Sequence, residues 1–403
     1  MISIDEALNI INKETKVLEP EEVDLMKSLN SVLAENIYSK DNLPPFNKSA
    51  MDGYAIKSED TKECNDKNKI KLTKKAIIKA GDYYEGELEK GQAIKIMTGA
   101  AVPKGANAVI KIEKIVEDKN QIIISEHVKE GNNIIKFGDE IKVGQLALEK
   151  GKIITPTEIG ILASLGYSKV KVYRKPKISI VTTGNELMDI NSKLEKGKVR
   201  NSNEYSLKAL CIQLGSEVES LGVVTDDKEY LKQKIMKALD KSDIVISSGG
   251  VSVGDYDFVE DVLGEIGADV KITSIAIKPG KPTTFATVGD KLFFGLPGNP
   301  LSVLTTFEEF VKPTIEKMMG KDGFNKKYFK VIAADNFKLK QDRRKYVYVE
   351  IKKKDEKYYA YEVGSQCSNY LMTRSRANGV MIIPEGVSSA KAGEVLDGRF
   401  MYK

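Results

Sequence analysis

The stretch Asp243-Ile244-Val245-Ile246-Ser247-Ser248-Gly249-Gly250-Val251-Ser252-Val253-Gly254-Asp255-Tyr256-Asp257 decides the fold of the central part of this chain. Asp243 to Ile246 carries the signal of a buried strand, and an amphipathic helix follows from Phe258 to Ile266. The loop between them is rich in glycine and serine. Glycine lets the backbone come close to an anion, and the next helix presents free amides and the positive end of its dipole. Two acids, Asp255 and Asp257, close the loop and repel a bare phosphate. They call for a cation such as Mg2+ or for a separate role. An ordinary strand-to-helix turn is the plainer reading of the same residues.

Outward from this stretch, the same strand, loop and helix grammar runs from Lys175 to Met319. Strands are expected at Ile178 to Val181, Glu217 to Val224 and Asp243 to Ile246, and helices at Glu204 to Leu214, Lys228 to Leu239 and Phe258 to Ile266. Such alternation predicts a parallel sheet with helices on both faces, and ligands bind outside the carboxyl ends of such strands. Four Gly- or Pro-bearing loops fall there: Thr183-Gly184-Asn185-Glu186, Ser248 to Asp257, Lys278-Pro279-Gly280-Lys281-Pro282, and Gly295-Leu296-Pro297-Gly298-Asn299-Pro300. They are expected to converge on one site. Gly298-Asn299-Pro300 also opens a long helix, with Pro300 in its first turn and free amides just beyond. Lys278 and Lys281 supply mobile charges for phosphate or another oxyanion. Glu186, Asp226, Asp227 and Asp257 gather on the same edge, and acids without histidine suit Mg2+ and water activation at a phosphoanhydride. Asp226 and Asp227 also precede a helix, where one of them serves equally well as its cap.

Beyond this region, Ser3 and Glu6 form a capping-box signal for an N-terminal helix. Leu43 to Ala55 is a proline-stiffened loop in which Asp52 before Gly53 also reads as a simple turn. Lys69 to Leu148 is mostly β, with segments at Ala93 to Met97, Ala108 to Ile115 and Gln121 to Val128. Lys327 to Lys403 returns to β character, with Lys345 to Ile351 and Lys357 to Val363 alternating across a charged turn. The 403 residues exceed one simple core. A net charge of +5 from 63 basic and 58 acidic residues, without a long basic block, favours a small anionic ligand over nucleic acid. Seven of the bases are arginines, and the pairs Arg343 with Arg344 and Arg374 with Arg376 stand out against a plain reading as surface charge. Cys64, Cys211 and Cys367 match no zinc or redox spacing, and no apolar run is long enough to span a membrane, so a cytoplasmic protein is expected. The one histidine, His127, reads as a surface residue, which leaves acid-base work to carboxylates, lysines or metal-bound water.

At six ordered motifs the chain resembles the molybdopterin molybdenumtransferase family, the MoeA enzymes and the related E domain of gephyrin. They are Pro44-Pro45-Phe46 with Ser49 to Ala55, Ile96-Met97-Thr98-Gly99-Ala100 with Val102-Pro103 and Gly105-Ala106, Thr183 to Leu187, Ser247 to Asp257, Lys278 to Pro282, and Gly295 to Pro300. The resemblance spans nearly the full length. It implies an α/β plus β, multi-domain fold with a central doubly wound, mostly parallel α/β domain at 175–322. An N-terminal mixed domain at 1–44 and 140–174, an inserted mostly β domain at 45–139 and a small C-terminal β domain at 323–403 complete it.

The implied reaction inserts molybdenum from molybdate into adenylylated molybdopterin, with release of AMP and with Mg2+ involved. The implied assembly is a homodimer, with the upstream adenylyltransferase as a further candidate partner. By matching position, Asp52, Thr98, Glu186 and Asp226 are the candidate catalytic residues, and Asp257 and Asp226 the candidate metal ligands. Asp52 and Thr98 resemble residues that complete the cleft from the other subunit. Ser248, Gly249, Gly250, Ser252, Asp257, Lys278, Lys281, Pro297, Asn299, Arg343 and Ser368 are the candidate substrate contacts. Three places depart from the family pattern: Glu140 stands where Asp is usual, Cys367 and Asn369 where glycines are usual, and Tyr348 where a second base is usual. Two other functions compete, a non-catalytic pterin-binding or scaffold protein and a nucleotide hydrolase of the related amidase type. The motifs outside the α/β region weigh against the hydrolase, and the acids weigh against the scaffold.

Overall fold

The computed structural model describes residues 1–225, 227–250, 258–338 and 343–401. The chain divides into two compact units, one of Asp24–Leu29 and Glu35–Val170, the other of Met1–Val23, Asn30–Ala34 and Lys171–Lys403. No helix among the described residues is long and apolar enough to cross a membrane.

The unit of residues 35–170 is built on a six-stranded sheet. Its strand Gly53–Ile56 runs between Gln92–Ile96 and Ala108–Lys111, antiparallel to both. No side chain fits at Gly53, because a Cβ there would lie 2.0 Å from the Ile110 carbonyl oxygen. The segment Ala108 to Ile115, expected as one strand, breaks at a short 3-10 turn, Ile112–Lys114, and resumes as Ile115–Asp118. The same unit holds a helix, Pro156–Ser164, that the alternating pattern did not suggest. Thr155 and Glu158 cap it as a reciprocal capping box, with Pro156 in the first turn.

In the other unit the strands β1 (Lys177–Thr183), β2 (Glu217–Val224), β3 (Ile244–Ser248), β4 (Asp269–Ile272), β5 (Thr284–Val288) and β6 (Lys291–Leu296) form one sheet in the order 2-1-3-6-5-4. The first four in that order are parallel, while β5 is antiparallel to both β6 and β4. The sheet is thus mostly parallel, as expected, with an antiparallel edge at β5. Gly289-Asp290 makes a two-residue hairpin loop with Gly289 at φ +57°, and a loop that short joins only antiparallel strands.

Helices α1 (Ser202–Gln213), α2 (Lys228–Lys241) and α3 (Val259–Glu265) connect the strands. Alternate strand residues feed two cores. Ile178, Ile180, Ile244, Ile246 and Phe294 pack on one face with Leu207 of α1 and Ala7 and Ile11 of the N-terminal helix Ile4–Glu14. Val181, Val245 and Phe293 pack on the other with Leu231 and Ile235 of α2 and Val262 of α3. Period-two burial on both faces is what a sheet covered by two helix layers requires. The Asp227 side chain accepts from the Tyr230 N–H and caps α2, while Asp226 lies outside the described residues.

The C-terminal sheet closes on itself through Arg344–Lys354, Lys357–Glu362, Phe329–Ala333, Val395–Phe400 and Gly379–Ile383, a five-stranded barrel. The charged turn inside it is tighter than its six residues suggested. The strands run on to Lys354 and from Lys357, and Asp355-Glu356 alone, at φ +48° and +60°, form the loop.

Between this barrel and the helical run that starts at Pro300 lies a buried ionic cluster. Glu309, 0% exposed, bonds Lys326 (2.7 Å), Tyr346 (2.9 Å) and Arg399. Arg374 bonds Glu308 and donates to the Tyr348 hydroxyl at 3.0 Å. The surface-charge reading of Arg374 is thereby corrected. Its partner lies 66 residues away in sequence, and Tyr348 accepts from this base instead of supplying one. Arg344 pairs with Asp5 in a two-pronged bridge of 3.0 and 2.8 Å.

Candidate functional site

Three strand ends build a cleft. β1 stops at Thr183, β3 at Ser248 and β6 at Leu296, and the parallel registers bring these ends to one edge of the sheet. From β1 the chain crosses to β2 on one side and then returns to β3 on the other, so the gap between β1 and β3 is a switch point. The cleft has a volume of about 690 Å³ and includes Thr183, Gly184, Glu186, Ser248, Gly249, Gly250, Pro297 and Asn299 in its wall.

Gly249 and Gly250 have φ of +92° and +68°, a left-handed pair that side chains resist. A Cβ on Gly249 would lie 2.5 Å from the Thr183 carbonyl oxygen, and one on Gly250 would lie 2.9 Å from Thr183 Oγ1. The turn thus packs against the end of β1, and the Gly249 N–H donates to the Leu296 carbonyl at 3.0 Å. Thr183 Oγ1 is buried there and has no hydrogen-bond partner among the described residues.

Two asparagines at the start of α1 lock the loops together. Asn201 caps the helix by accepting from the Glu204 N–H, and its Nδ2 donates to Thr182 Oγ1 at 2.9 Å. Asn203 Nδ2 donates to Ser248 Oγ at 3.0 Å and to the Gly298 carbonyl at 2.7 Å. These residues were not singled out from sequence, although Asn201 just ahead of a helix is a capping signal. Arg200, also unanticipated, lines the cleft and donates its Nε to the Ile190 carbonyl at 3.1 Å. Of the described residues lining the cleft, Glu186 is the acid and Arg200 the base.

Lys278 ends a short strand, Ile277–Lys278, that pairs with Arg344 and Lys345 of the barrel. Arg343 Nη1 donates to the Ile277 carbonyl at 3.4 Å, so Lys278 and Arg343 share one neighbourhood. Neither of them lines the cleft, nor does Lys281, although Pro282 of the same loop does. Ser368 joins the helix start at Pro300: its hydroxyl accepts from Asn299 Nδ2 at 3.3 Å, and its carbonyl accepts from the Leu301 N–H at 2.9 Å. One of the amides expected to be free for an anion is therefore occupied. Ser252, Asp226 and Asp257 lie outside the described residues.

In the other unit, Asp52 and Thr98 meet directly. Asp52 Oδ1 accepts from Thr98 Oγ1 at 2.6 Å and from the Thr98 N–H at 2.7 Å, and these bonds hold the carboxyl below its usual range. Both side chains are exposed.

No group of three or more His, Cys, Asp or Glu is placed to hold a metal among the described residues. The donor set still suits Mg2+. That ion binds through one or two carboxylates together with substrate phosphates and water, and Glu186 lies on a cleft rimmed by hydroxyls and amides.

Residues 2–166 match the family model of the MoeA N-terminal region (domain I and II), residues 179–317 a probable molybdopterin binding domain, and residues 330–397 the MoeA C-terminal region (domain IV). The chain is 36% identical over 396 residues to a molybdopterin molybdenumtransferase of Staphylococcus epidermidis, covering 98% of this chain and 94% of that one. A Staphylococcus aureus protein of the same name is 35% identical over the same shares. A crystal structure described as a molybdopterin biosynthesis MoeA protein from Pyrococcus horikosii matches with a TM-score of 0.84 and 32% identity, over 99% of each chain.

Proposed function

The chain belongs to the molybdopterin molybdenumtransferase (MoeA) family, enzymes of molybdenum cofactor biosynthesis, and on that premise we propose that it takes molybdate and adenylylated molybdopterin, inserts molybdenum and releases AMP. The cleft at the end of β1, β3 and β6 is the observation that carries this reading. It unites a left-handed Gly-Gly turn, a buried serine, an arginine and a carboxylate at a switch point, which suits a phosphate-bearing ligand.

In this reading Gly249 and Gly250 let the backbone approach the phosphates, and Ser248 donates to them. Pro297 and Asn299 line the same cleft, with Ser368 holding the Asn299 side chain. Glu186 would hold Mg2+, with Asp226 and Asp257 joining it by resemblance, and the ion would offset the negative charge of the anhydride. Ser252 joins the phosphate loop by the same resemblance. Lys278, Lys281 and Arg343 receive the molybdate oxyanion beside the barrel. Asp52, kept ionised by Thr98, orients the attacking water from the second subunit of a homodimer. Water cleaves the anhydride and AMP leaves, while the two dithiolene thiols bind molybdenum and their protons carry one molybdate oxygen away as water. An adenylyltransferase supplies the substrate, and the whole reaction runs in the cytoplasm.

The test is molybdate-dependent AMP release by Asp52→Asn and Glu186→Gln. Each is expected to fall at least 100-fold, about 2.7 kcal/mol of transition-state stabilisation, with the dimer and fold retained. Turnover near the wild-type rate in either variant removes that residue from the mechanism.

A further inference from the structure

Asn203 is absorbed by none of the roles above, yet it touches two of the three loops that make the cleft. Its Nδ2 donates to the Gly298 carbonyl at 2.7 Å and to Ser248 Oγ at 3.0 Å. A carbonyl only accepts, so the first bond fixes which end of the amide is nitrogen. Both protons of Nδ2 are then committed.

The consequence falls on Ser248. Its oxygen already receives a proton from Asn203, and among the described residues its own O–H proton has no acceptor. Ser248 is only 2% exposed and lines the cleft. A buried hydroxyl whose acceptor side is occupied turns its donor side toward whatever fills the cleft, and leaving that donor unmet is costly. The matching group is an acceptor-rich anion. The flanking base Arg200, with Gly249 and Gly250 at positive φ, fits the same ligand.

We propose that Asn203 is a positioning residue that sets the hydrogen-bond polarity of the cleft floor, making Ser248 an obligate donor to a phosphate oxygen of the substrate. The inference rests on the proposed function for the identity of that phosphate. It adds a residue, Asn203, and the reason that Ser248 donates to the phosphate and does not accept.

Titration calorimetry with AMP and with adenosine separates the two ideas, because these probes differ only in the phosphate. In the wild-type protein AMP binds and adenosine binds more weakly. Asn203→Ala and Ser248→Ala each weaken AMP about tenfold, while adenosine is unchanged. The double variant is no weaker than the poorer single one, since both remove the same bond. Asn203→Asp weakens AMP more than Asn203→Ala does, because a carboxylate accepts the Ser248 proton and repels the phosphate. A residue that merely braces the loops makes a different prediction: both probes weaken alike, and Asp serves at least as well as Ala. That pattern, or additive losses in the double variant, overturns the assignment while AMP binding by the wild type still stands. Failure of the wild type to bind AMP overturns the proposed substrate together with the inference built on it.

Discussion

Replacing Glu309 by glutamine is expected to be among the most damaging single changes of one charge outside the cleft. The side chain is 0% exposed, with Lys326 at 2.7 Å, the Tyr346 hydroxyl at 2.9 Å and Arg399 on its other oxygen. Burial pushes the carboxyl up, but Lys326 and Arg399 outweigh it and hold the group below its usual range. Without the charge, two cations with side chains 11% and 16% exposed face one remaining acid, Glu308, which lies 3.7 Å from Arg399. Breaking a buried pair in this way costs about 3–5 kcal/mol. Glutamine keeps the shape and one acceptor, which favours the lower end. With about 2–4 °C lost per kcal/mol in a body of 150–250 residues, the transition of the sheet-and-barrel unit should fall by about 6–12 °C in scanning calorimetry near pH 7. The sign with pH follows from the lowered carboxyl. Its contribution is present above the unfolded value of about 4.3 and is lost as pH falls through the folded value, so wild type and variant converge in acid. A variant that melts within about 2 °C of wild type near pH 7, or a gap that widens in acid, refutes the reasoning.

Two substitutions probe the cleft and its proposed catalytic acid. Gly249→Ala meets both a left-handed φ of +92° and a carbonyl oxygen 2.5 Å from the new methyl group, so AMP binding should drop sharply and the melting point should fall. Gly298→Ala meets nothing closer than 3.8 Å and serves as the tolerated control. Equal tolerance of both in calorimetry and AMP titration contradicts the turn geometry. Thr98→Val removes a hydrogen bond that lowers the Asp52 carboxyl, so the acid limb of the pH profile for AMP release should move to higher pH. An acid limb that stays in place shows that Asp52 is not the group it reports.

Much of the fold was legible because the alternation of strands and helices is a local, repeated signal. β1, β2 and β3 and helices α1 and α2 lie within a few residues of their expected bounds, since each has an apolar face set by its own periodicity. The antiparallel edge was less visible. Its evidence is one Gly-Asp dipeptide between two apolar runs, a signal easily lost among the loops expected at strand ends. Arg374 was unreadable for a different reason. The acid that buries it, Glu308, is brought near by the packing of the helical run against the barrel, which no local pattern encodes.

The site divides along the same line. Gly249 and Gly250 were recognisable because a backbone conformation restricts the residue type at its own position. Lys278 and Lys281 were drawn toward the central cleft because a lysine beside Pro and Gly looks like a loop cation. A two-residue strand instead adds Lys278 to the barrel, where Arg343 joins it. If molybdate docks at that cation group while the phosphates fill the cleft, the two substrates are recognised by separate sets of donors. Charge-reversing Arg343 should then raise the molybdate requirement without weakening AMP, and Asn203→Ala should do the reverse. Asn203 itself was invisible in sequence because Asn201, two residues earlier, already supplies the cap of this helix, and nothing local sets a second asparagine apart. Its role arises only when the end of β3 at Ser248 and the loop after β6 at Gly298, 50 residues apart, are brought to one amide.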